Sequence, residues 1–137
     1  MFTGIIQEKG KVIDFSRGIL EISTNLDLSD CKLGSSICCN GVCLTATEIN
    51  FINNSYQFKT NVGEETMLRT TFSDNLFNKI KPINLEKSLK IGDEISGHFV
   101  YGHVDRTTKL LKISKLNNSW EFFFENFQNE DNNYIVE

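Results

Sequence analysis

Proline is scarce in this sequence, which has one proline and one tryptophan among its 137 residues. An excess of basic residues is also absent: 14 lysines and arginines face 18 acidic residues, the net charge is −4, and the pI is near 5.2. Binding to nucleic acid through phosphate contacts needs a dense basic face, so we expect no nucleic-acid partner. Long hydrophobic runs are missing too. No stretch approaches the roughly 18–20 apolar residues that span a bilayer, so we expect no membrane partner.

We expect no secretory signal, because the N-terminus, residues 1–4, lacks a basic segment followed by an apolar one. We therefore expect a cytoplasmic protein in a reducing compartment, where a disulfide framework is disfavoured. A zinc site is weakly supported, because Cys38 and Cys39 are adjacent and point to opposite faces of a strand, and no second ligand pair follows. We predict no metal and interpret the thiols as small apolar side chains. The four cysteines are Cys31, Cys38, Cys39 and Cys43.

Phenylalanine, in contrast, is abundant, with 11 residues, and aromatic side chains favour sheet structure. The chain reads as short extended runs separated by turn residues, and the pair Asn40–Gly41 predicts a tight hairpin turn. We also predict a helical turn over 25–32, one or two short helices within 64–81, and a short helix in the tail, 126–137. Many short strands with turns between them predict an antiparallel barrel or sandwich. The clearest predicted strands are 18–23, 35–40, 42–49, 56–60, 82–86, 109–115 and 119–125.

The sequence also contains a weak internal repeat. Residues 2–6 resemble 100–104, residues 11–13 resemble 109–111, residues 19–22 resemble 120–124, and residues 25–33 resemble 126–136. These matches occur in the same order at nearly constant spacing, which chance similarity does not readily produce. The second copy lacks a counterpart of residues 34–45. We therefore expect either a longer parent protein or a second half that packs against another subunit, because unpaired strand edges are avoided in proteins.

Four consecutive motifs resemble those of riboflavin synthases: 1–6, Met-Phe-Thr-Gly-Ile-Ile; 39–48, Cys-Asn-Gly-Val-Cys-Leu-Thr-Ala-Thr-Glu; 65–71, Glu-Thr-Met-Leu-Arg-Thr-Thr; and 84–89 leading to 97–105, Gly-His-Phe-Val-Tyr-Gly-His-Val-Asp. The resemblance implies an all-β fold of two similar six-stranded antiparallel Greek-key barrels. Here the first barrel would occupy residues 1–95, and residues 96–137 would be an incomplete second copy. It also implies no cofactor.

In that family the enzyme takes two molecules of 6,7-dimethyl-8-ribityllumazine and transfers a four-carbon unit between them. The products are riboflavin and 5-amino-6-ribitylamino-pyrimidinedione. The 7-methyl protons of the lumazine are already acidic, so the protein must mainly hold two heterocycles face to face, an effect worth about 7–11 kcal/mol. Well-placed acid–base groups add roughly 3–5 kcal/mol. Small polar side chains and backbone groups therefore suffice for this reaction.

The resemblance places candidate site residues on four segments. As catalytic candidates it implies His103, as an acid–base or ring-contact residue, together with Cys43 and Ser36. Thr45 shares a strand face with Cys43 and would bind the pyrimidine edge. Residues 61–63 and Thr66 would bind the ribityl chain. The full substrate-binding set is Phe2, Thr3, Gly4, Ile5, Ser36, Gly41, Cys43, Thr45, Asn61, Val62, Gly63, Thr66, His103 and Val104.

Each assignment has a structural alternative: strand surface for Ser36 and Thr45, inert core for Cys43, a core aromatic for Phe2, and turn or cap roles for Asn61 and Thr66. The other histidine, His98, is interpreted as structural. Family members usually carry glycines where this chain has Arg106 and Thr108. If that backbone needs a positive φ, Arg106 would be strained.

The resemblance implies a homo-oligomer: a trimer for the full-length family, whereas this chain could form a dimer. Because the second copy of the binding motif is absent, we expect ligand binding with weak or no turnover by the chain alone. Two alternatives remain open. One is a non-catalytic lumazine- or flavin-binding protein of the same fold, as in luminous bacteria, and the other is a barrel with a structural role.

Overall fold

The computed structural model of the protein describes residues 1–73 and 82–126. Within them the chain forms two compact units, the first comprising residues Met1–Asp105 and the second beginning at Arg106. The regular elements, in chain order, are β1 Glu8–Ser16, β2 Ile19–Thr24, β3 Ser36–Cys39, β4 Val42–Ile52, β5 Ser55–Asn61, α1 Glu64–Arg69, β6 Pro82–Lys87, β7 Leu110–Lys115 and β8 Trp120–Phe124.

Strands β1 to β6 form a closed barrel in the order β1-β2-β5-β4-β3-β6, and β6 pairs with β1 to complete it. Every pairing within the barrel is antiparallel. The all-β fold and its six-stranded Greek-key barrel are therefore confirmed. The predicted boundary between residues 95 and 96 stays a prediction, because a compact unit and a sequence repeat are different ways of dividing a chain.

Three two-residue turns set the register of the barrel hairpins. Arg17–Gly18, Asn40–Gly41 and Asn53–Asn54 all have positive φ at both positions. Such turns match the right-handed twist of the strands they join, and Gly and Asn adopt this backbone at low cost. The predicted hairpin at Asn40–Gly41 is confirmed, since Cys39 pairs with Val42 across it.

The barrel interior is filled by alternate residues of its strands. Gly10 on β1 faces this interior, where an added Cβ would lie 2.6 Å from Ile22 and 2.7 Å from Leu85. The space is therefore full, as expected for a close-packed core. The buried cluster comprises Leu20, Ile22, Leu28, Ile37, Cys39, Val42, Leu44, Ala46, Phe58, Val62, Phe72, Ile83 and Leu85.

The predicted helical turn over residues 25–32 is wrong. Two successive turns replace it: the N–H of Cys31 donates to the carbonyl of Leu28, and that of Ser35 donates to the carbonyl of Lys32. The Asp27 side chain accepts a hydrogen bond from the N–H of Ser29, so local side-chain bonds compete with a helix. Helix α1 confirms one predicted helix within 64–81, whereas residues 74–81 and most of the predicted tail helix lie outside the described residues.

The second unit contains a two-stranded hairpin, β7–β8. Its register shifts between Leu110 and Lys112, just as the β1–β2 register shifts between Val12 and Asp14. The bulge thus falls at equivalent positions of the two copies and supports the repeat. Across residues 1–73 and 82–126, no helix is long and apolar enough to cross a membrane.

Candidate functional site

The N-terminal segment, residues 1–6, lies against the outer face of the barrel and is held there by Glu86 of β6. The Oε1 atom of Glu86 accepts hydrogen bonds from the N–H of Thr3 at 2.5 Å and from its hydroxyl at 2.7 Å. The Oε2 atom accepts one from the N–H of Gly4 at 3.1 Å. Glu86 is 5% exposed, so these bonds compensate for burying a polar group. They also fix the position of the segment.

The return segment, residues 97–105, pairs with the N-terminal segment. Phe2 and Val100 exchange backbone hydrogen bonds of 2.7 and 3.0 Å, and the N–H of His98 donates to the carbonyl of Thr3 at 2.9 Å. Phe2 and Val100 are equivalent residues of the two repeats, so the first residues of each copy pair with one another. The pairing of the two segments leaves the side chain of Phe2 fully buried.

Gly102 joins the return segment to β4. Its carbonyl accepts a hydrogen bond of 2.8 Å from the N–H of Cys43. An added Cβ at Gly102 would lie 2.9 Å from the Cβ and backbone nitrogen of Cys43 and 3.2 Å from the Phe2 ring, and φ is +75°. Both the close approach and the backbone conformation require glycine here. As a result, His103 is placed beside Cys43.

A cleft of about 420 Å³, here called the β4 cleft, opens beside this contact. Cys43 and Val42 of β4 contribute one side of it, α1 contributes a second, and the return segment contributes a third. Small-molecule sites typically measure about 300–1,000 Å³. The predicted site residues that line it are Cys43, Thr66, His103 and Val104.

Arg69 connects two walls of the β4 cleft. Its Nε atom lies 3.0 Å from Oε1 of Glu65, one turn earlier on α1, and its Nη1 donates to the carbonyl of Asp105 at 3.2 Å. Both residues also line the cleft. The guanidinium therefore holds α1 near the return segment and presents hydrogen-bond donors to a bound molecule.

Other predicted residues are distributed around the same face of the barrel. Ser36 and Thr45 are cross-strand partners on β3 and β4 and, like Cys43, point away from the interior. Thr3 and Ile5 line a second cleft of about 450 Å³, which also contains Glu86. Gly4 and Gly41 line a third of about 340 Å³. The structure thus places these residues around the β4 cleft without bringing them into it.

Residues 61–63 occupy the connection between β5 and α1. Val62 is 3% exposed and belongs to the core, and its N–H donates to the carbonyl of Gly18. Asn61 ends β5 and is exposed, whereas Gly63 is the N-terminal capping residue of α1. These residues position Thr66 on α1 and are not lining residues of the described clefts.

The cysteines differ in environment. Cys39 points inward and is fully buried, which raises the pKa of its thiol well above the usual value. Cys38 points outward beside Glu86, and burial, followed by the nearby carboxyl group, raises its pKa to about 11. Cys43 is half-buried in the β4 cleft. No group of three potential ligands that could hold a metal occurs in the described part of the chain.

Sequence reasoning missed Glu86 and Arg69. Glu86 lies in the motif at 84–89, and its neighbour Leu85 is buried inside the barrel, so alternation places Glu86 on the opposite face. That pattern could have shown an outward acid, although not the segment that covers it. Arg69 belongs to the motif at 65–71, and its i, i+4 spacing from Glu65 was visible.

The fold and the clustered cleft residues define a ligand-binding antiparallel barrel. Residues 3–88 match the model of the lumazine binding domain family, so the chain belongs to that family.

The chain is similar to curated proteins named riboflavin synthase. It is 41% identical to that of Brucella abortus over 117 residues, covering 82% of this chain and 57% of the relative. It is 37% identical to that of Bacillus subtilis over 123 residues, covering 87% of this chain and 54% of the relative. The chain therefore spans slightly more than half the length of these relatives.

Among solved structures, the fold resembles that of LumP. The complex of LumP with riboflavin superposes with a TM-score of 0.65 at 17% identity, covering 93% of this chain and 68% of that one. The complex with 6,7-dimethyl-8-(1'-D-ribityl)lumazine gives a TM-score of 0.66 at 17% identity and covers 93% and 70%. At this identity the likeness concerns the fold alone.

Proposed function

We propose that the barrel binds 6,7-dimethyl-8-ribityllumazine in the β4 cleft and that the chain acts as part of a riboflavin synthase. The observation that carries this proposal is the meeting of Cys43, Thr66 and His103, from three separate segments, around one cleft. Membership of the lumazine binding domain family and similarity to proteins named riboflavin synthase support it.

The proposed reaction is a dismutation of two lumazines. One loses a proton from its 7-methyl group and attacks C7 of the other, and the four-carbon unit then passes between them. Riboflavin and 5-amino-6-ribitylamino-pyrimidinedione are formed. The exposed imidazole of His103 is suited to moving the methyl proton, since its ring nitrogens can both accept and donate a proton. Cys43, which faces the same cleft, contacts the reacting ring.

The ribityl chain needs several hydrogen-bond partners. In our proposal Thr66 and Arg69 of α1 supply a hydroxyl and a guanidinium for it. Thr45 and Ser36 lie on the outer face next to Cys43 and outside the cleft lining; in our proposal they contact the pyrimidine edge where the ligand extends beyond the cleft. Phe2 has an indirect role, because its ring lies against Gly102 and so sets the position of the return segment.

A second lumazine must lie against the first, and the four clustered site residues define a single cleft. We therefore propose that another barrel supplies the second ligand, which makes a homo-oligomer the working assembly. Proximity then does most of the catalytic work. The chain alone is expected to bind lumazine and to turn it over slowly or not at all. Its cytoplasmic location remains a prediction.

Titration of the whole chain with the lumazine, followed by ligand fluorescence, tests the binding proposal. Thr66→Ala should weaken affinity about tenfold, corresponding to one lost hydrogen bond of roughly 1.4 kcal/mol. Thr47→Ala is a matched control, because Thr47 lies on β4 but donates its hydroxyl to the carbonyl of Lys59. Affinity unchanged by Thr66→Ala, or reduced equally by both changes, would contradict the proposal.

The same mixture distinguishes an enzyme from a binding protein. Riboflavin formation, measured by its absorbance, should rise with chain concentration more steeply than linearly, because two barrels are needed. Any riboflavin formed would exclude the non-catalytic alternative, whereas tight binding without flavin fits both a binding protein and an incomplete enzyme.

A further inference from the structure

Cys38 and Cys43 face each other across the β3–β4 hairpin. They are registered partners, and both point away from the barrel interior. The two-residue turn makes Cys39 and Val42 the hydrogen-bonded closing pair, so the next pair along is not hydrogen-bonded. Accordingly, the N–H of Cys43 donates outward to the carbonyl of Gly102.

Pairs of this type bring two side chains closest together. Their Cα atoms are about 4.5 Å apart, at the short end of the range of roughly 4.4–6.8 Å that a disulfide spans. A bridge is therefore within reach at this separation, and a bridge that lines an open cleft is easier to reduce than one buried in a core. The position therefore suits a reversible bridge better than a permanent structural one.

The two thiols also differ in accessibility. Cys43 is half-buried and lines the β4 cleft, so a small oxidant can reach it. Cys38 is 5% exposed and lines the neighbouring cleft of about 340 Å³, which Gly4 and Gly41 also line. Cys39 faces the barrel core and is fully buried, whereas Cys31 lies in the connection between β2 and β3, outside the hairpin. Cys38 and Cys43 are therefore the two thiols placed to form a bridge.

We propose that Cys38 and Cys43 form a reversible disulfide by exchange with a low-molecular-weight disulfide such as oxidised glutathione. The Cys43 thiolate attacks one glutathione sulfur and releases the other glutathione as a thiolate. The Cys38 thiol then loses its proton, attacks the Cys43 sulfur and displaces the second glutathione as a thiolate. The two protein thiols lose two protons and two electrons, and one oxidised glutathione becomes two reduced molecules.

The bridge would change the β4 cleft. Bonding to Cys38 turns the Cys43 sulfur toward β3 and removes a thiol from the cleft wall. If the proposed function is correct, oxidation weakens lumazine binding. This consequence rests on the proposed function, whereas formation of the bridge does not. Intracellular disulfides of this kind are usually transient and redox-sensing.

Mapping after equilibration with oxidised glutathione tests the bridge. Free thiols are alkylated, and the chain is cut with trypsin and then with hydroxylamine, which cleaves Asn–Gly bonds and separates Cys38 and Cys39 from Cys43. In the wild type the two fragments should stay linked until a reductant is added. Cys31→Ala should behave like the wild type, and Cys38→Ala should lose the link. If Cys38→Ala misfolds by circular dichroism, Cys38→Ser serves instead.

Three outcomes would overturn the proposal: a persistent glutathione adduct on Cys43 with Cys38 alkylated, no oxidation of Cys43, or a link that survives in Cys38→Ala. Lumazine titration of both redox forms tests the consequence. Oxidation should weaken wild-type affinity about tenfold and reversibly, and Cys31→Ala should respond in the same way. In Cys38→Ala the same treatment should stop at a glutathione adduct on Cys43. A bridge in a chain that binds no lumazine in either form would refute the proposed function and leave the bridge standing.

Discussion

The hairpins β1–β2 and β7–β8 occupy equivalent places in the two repeats, yet they differ in what covers them. Both are antiparallel and carry a bulge at the same position. In the barrel, Leu20 and Ile22 are fully buried, whereas their counterparts Phe122 and Phe124 are 54% and 56% exposed. The comparison shows that strand pairing follows from local sequence, while burial needs four further strands to close the barrel.

Truncating an apolar side chain should change the free energy of unfolding more than any other substitution below. The change should also differ most between the two hairpins. Leu20→Ala is expected to lower the free energy of unfolding by about 3 kcal/mol, because it leaves a cavity in a closed core. Phe122→Ala in dilute solution should cost less than about 1 kcal/mol, because half of the ring is already exposed. Urea unfolding followed by circular dichroism measures both.

The Leu20→Ala and Phe122→Ala variants also test self-association. If a second copy covers the β7–β8 face, the cost of Phe122→Ala grows with protein concentration, since assembly stabilises the bound state. Sedimentation at several concentrations would show it. A monomer at all concentrations would contradict the expected oligomer.

Exchanging residues between the repeats should have the next largest effect. Gly10 and Thr108 are equivalent by the spacing of the bulges, and a Cβ at Gly10 would lie 2.6 Å from Ile22. Gly10→Thr is expected to cost about 2 kcal/mol by overpacking. Thr108→Gly, which loses a hydroxyl bond of 2.8 Å to the Glu125 carbonyl, should cost less than about 1 kcal/mol. Equal effects in urea unfolding would contradict the difference in packing between the closed barrel and the second hairpin.

Glu86→Gln should have a smaller effect. An amide nitrogen cannot accept the bond from the N–H of Gly4, so we expect a loss of about 1.5 kcal/mol. Glu121→Gln, on the exposed β8 strand, is the control and should be near neutral. Hydrogen exchange should show faster exchange at Thr3 and Gly4 in Glu86→Gln alone. Unaltered protection there would mean that Glu86 does not hold the segment.

The smallest expected effect is a pH dependence. Hydrogen bonds from Lys90 and Lys87 lower the pKa of Asp30 below its usual 3.8. A carboxyl group with a lowered folded-state pKa stabilises the fold above its unfolded pKa, and this contribution is lost as the pH falls through the folded value. Asp30→Asn should therefore flatten the fall in stability below about pH 4. The effect is small because a third of the side chain is exposed. Parallel acid unfolding curves for both chains would refute this assignment.

Strand positions and the Asn40–Gly41 turn could be predicted because alternation and turn chemistry are local. Arg106 illustrates the limit: it is not among the described residues with positive φ, so the strain expected from a family glycine does not arise. The roles of Glu86 and Arg69 depend on segments distant in sequence. Cys38 and Cys43 were visible as cysteines, but their pairing required the hairpin register.

The central claim, that the β4 cleft holds the lumazine, is tested most directly by amide chemical-shift mapping during a titration. Saturable shifts should appear at Cys43, Thr66 and Val104, and those of β7–β8 should stay constant. Shifts that fail to saturate, or that occur on β7–β8 and spare Cys43, would contradict the account.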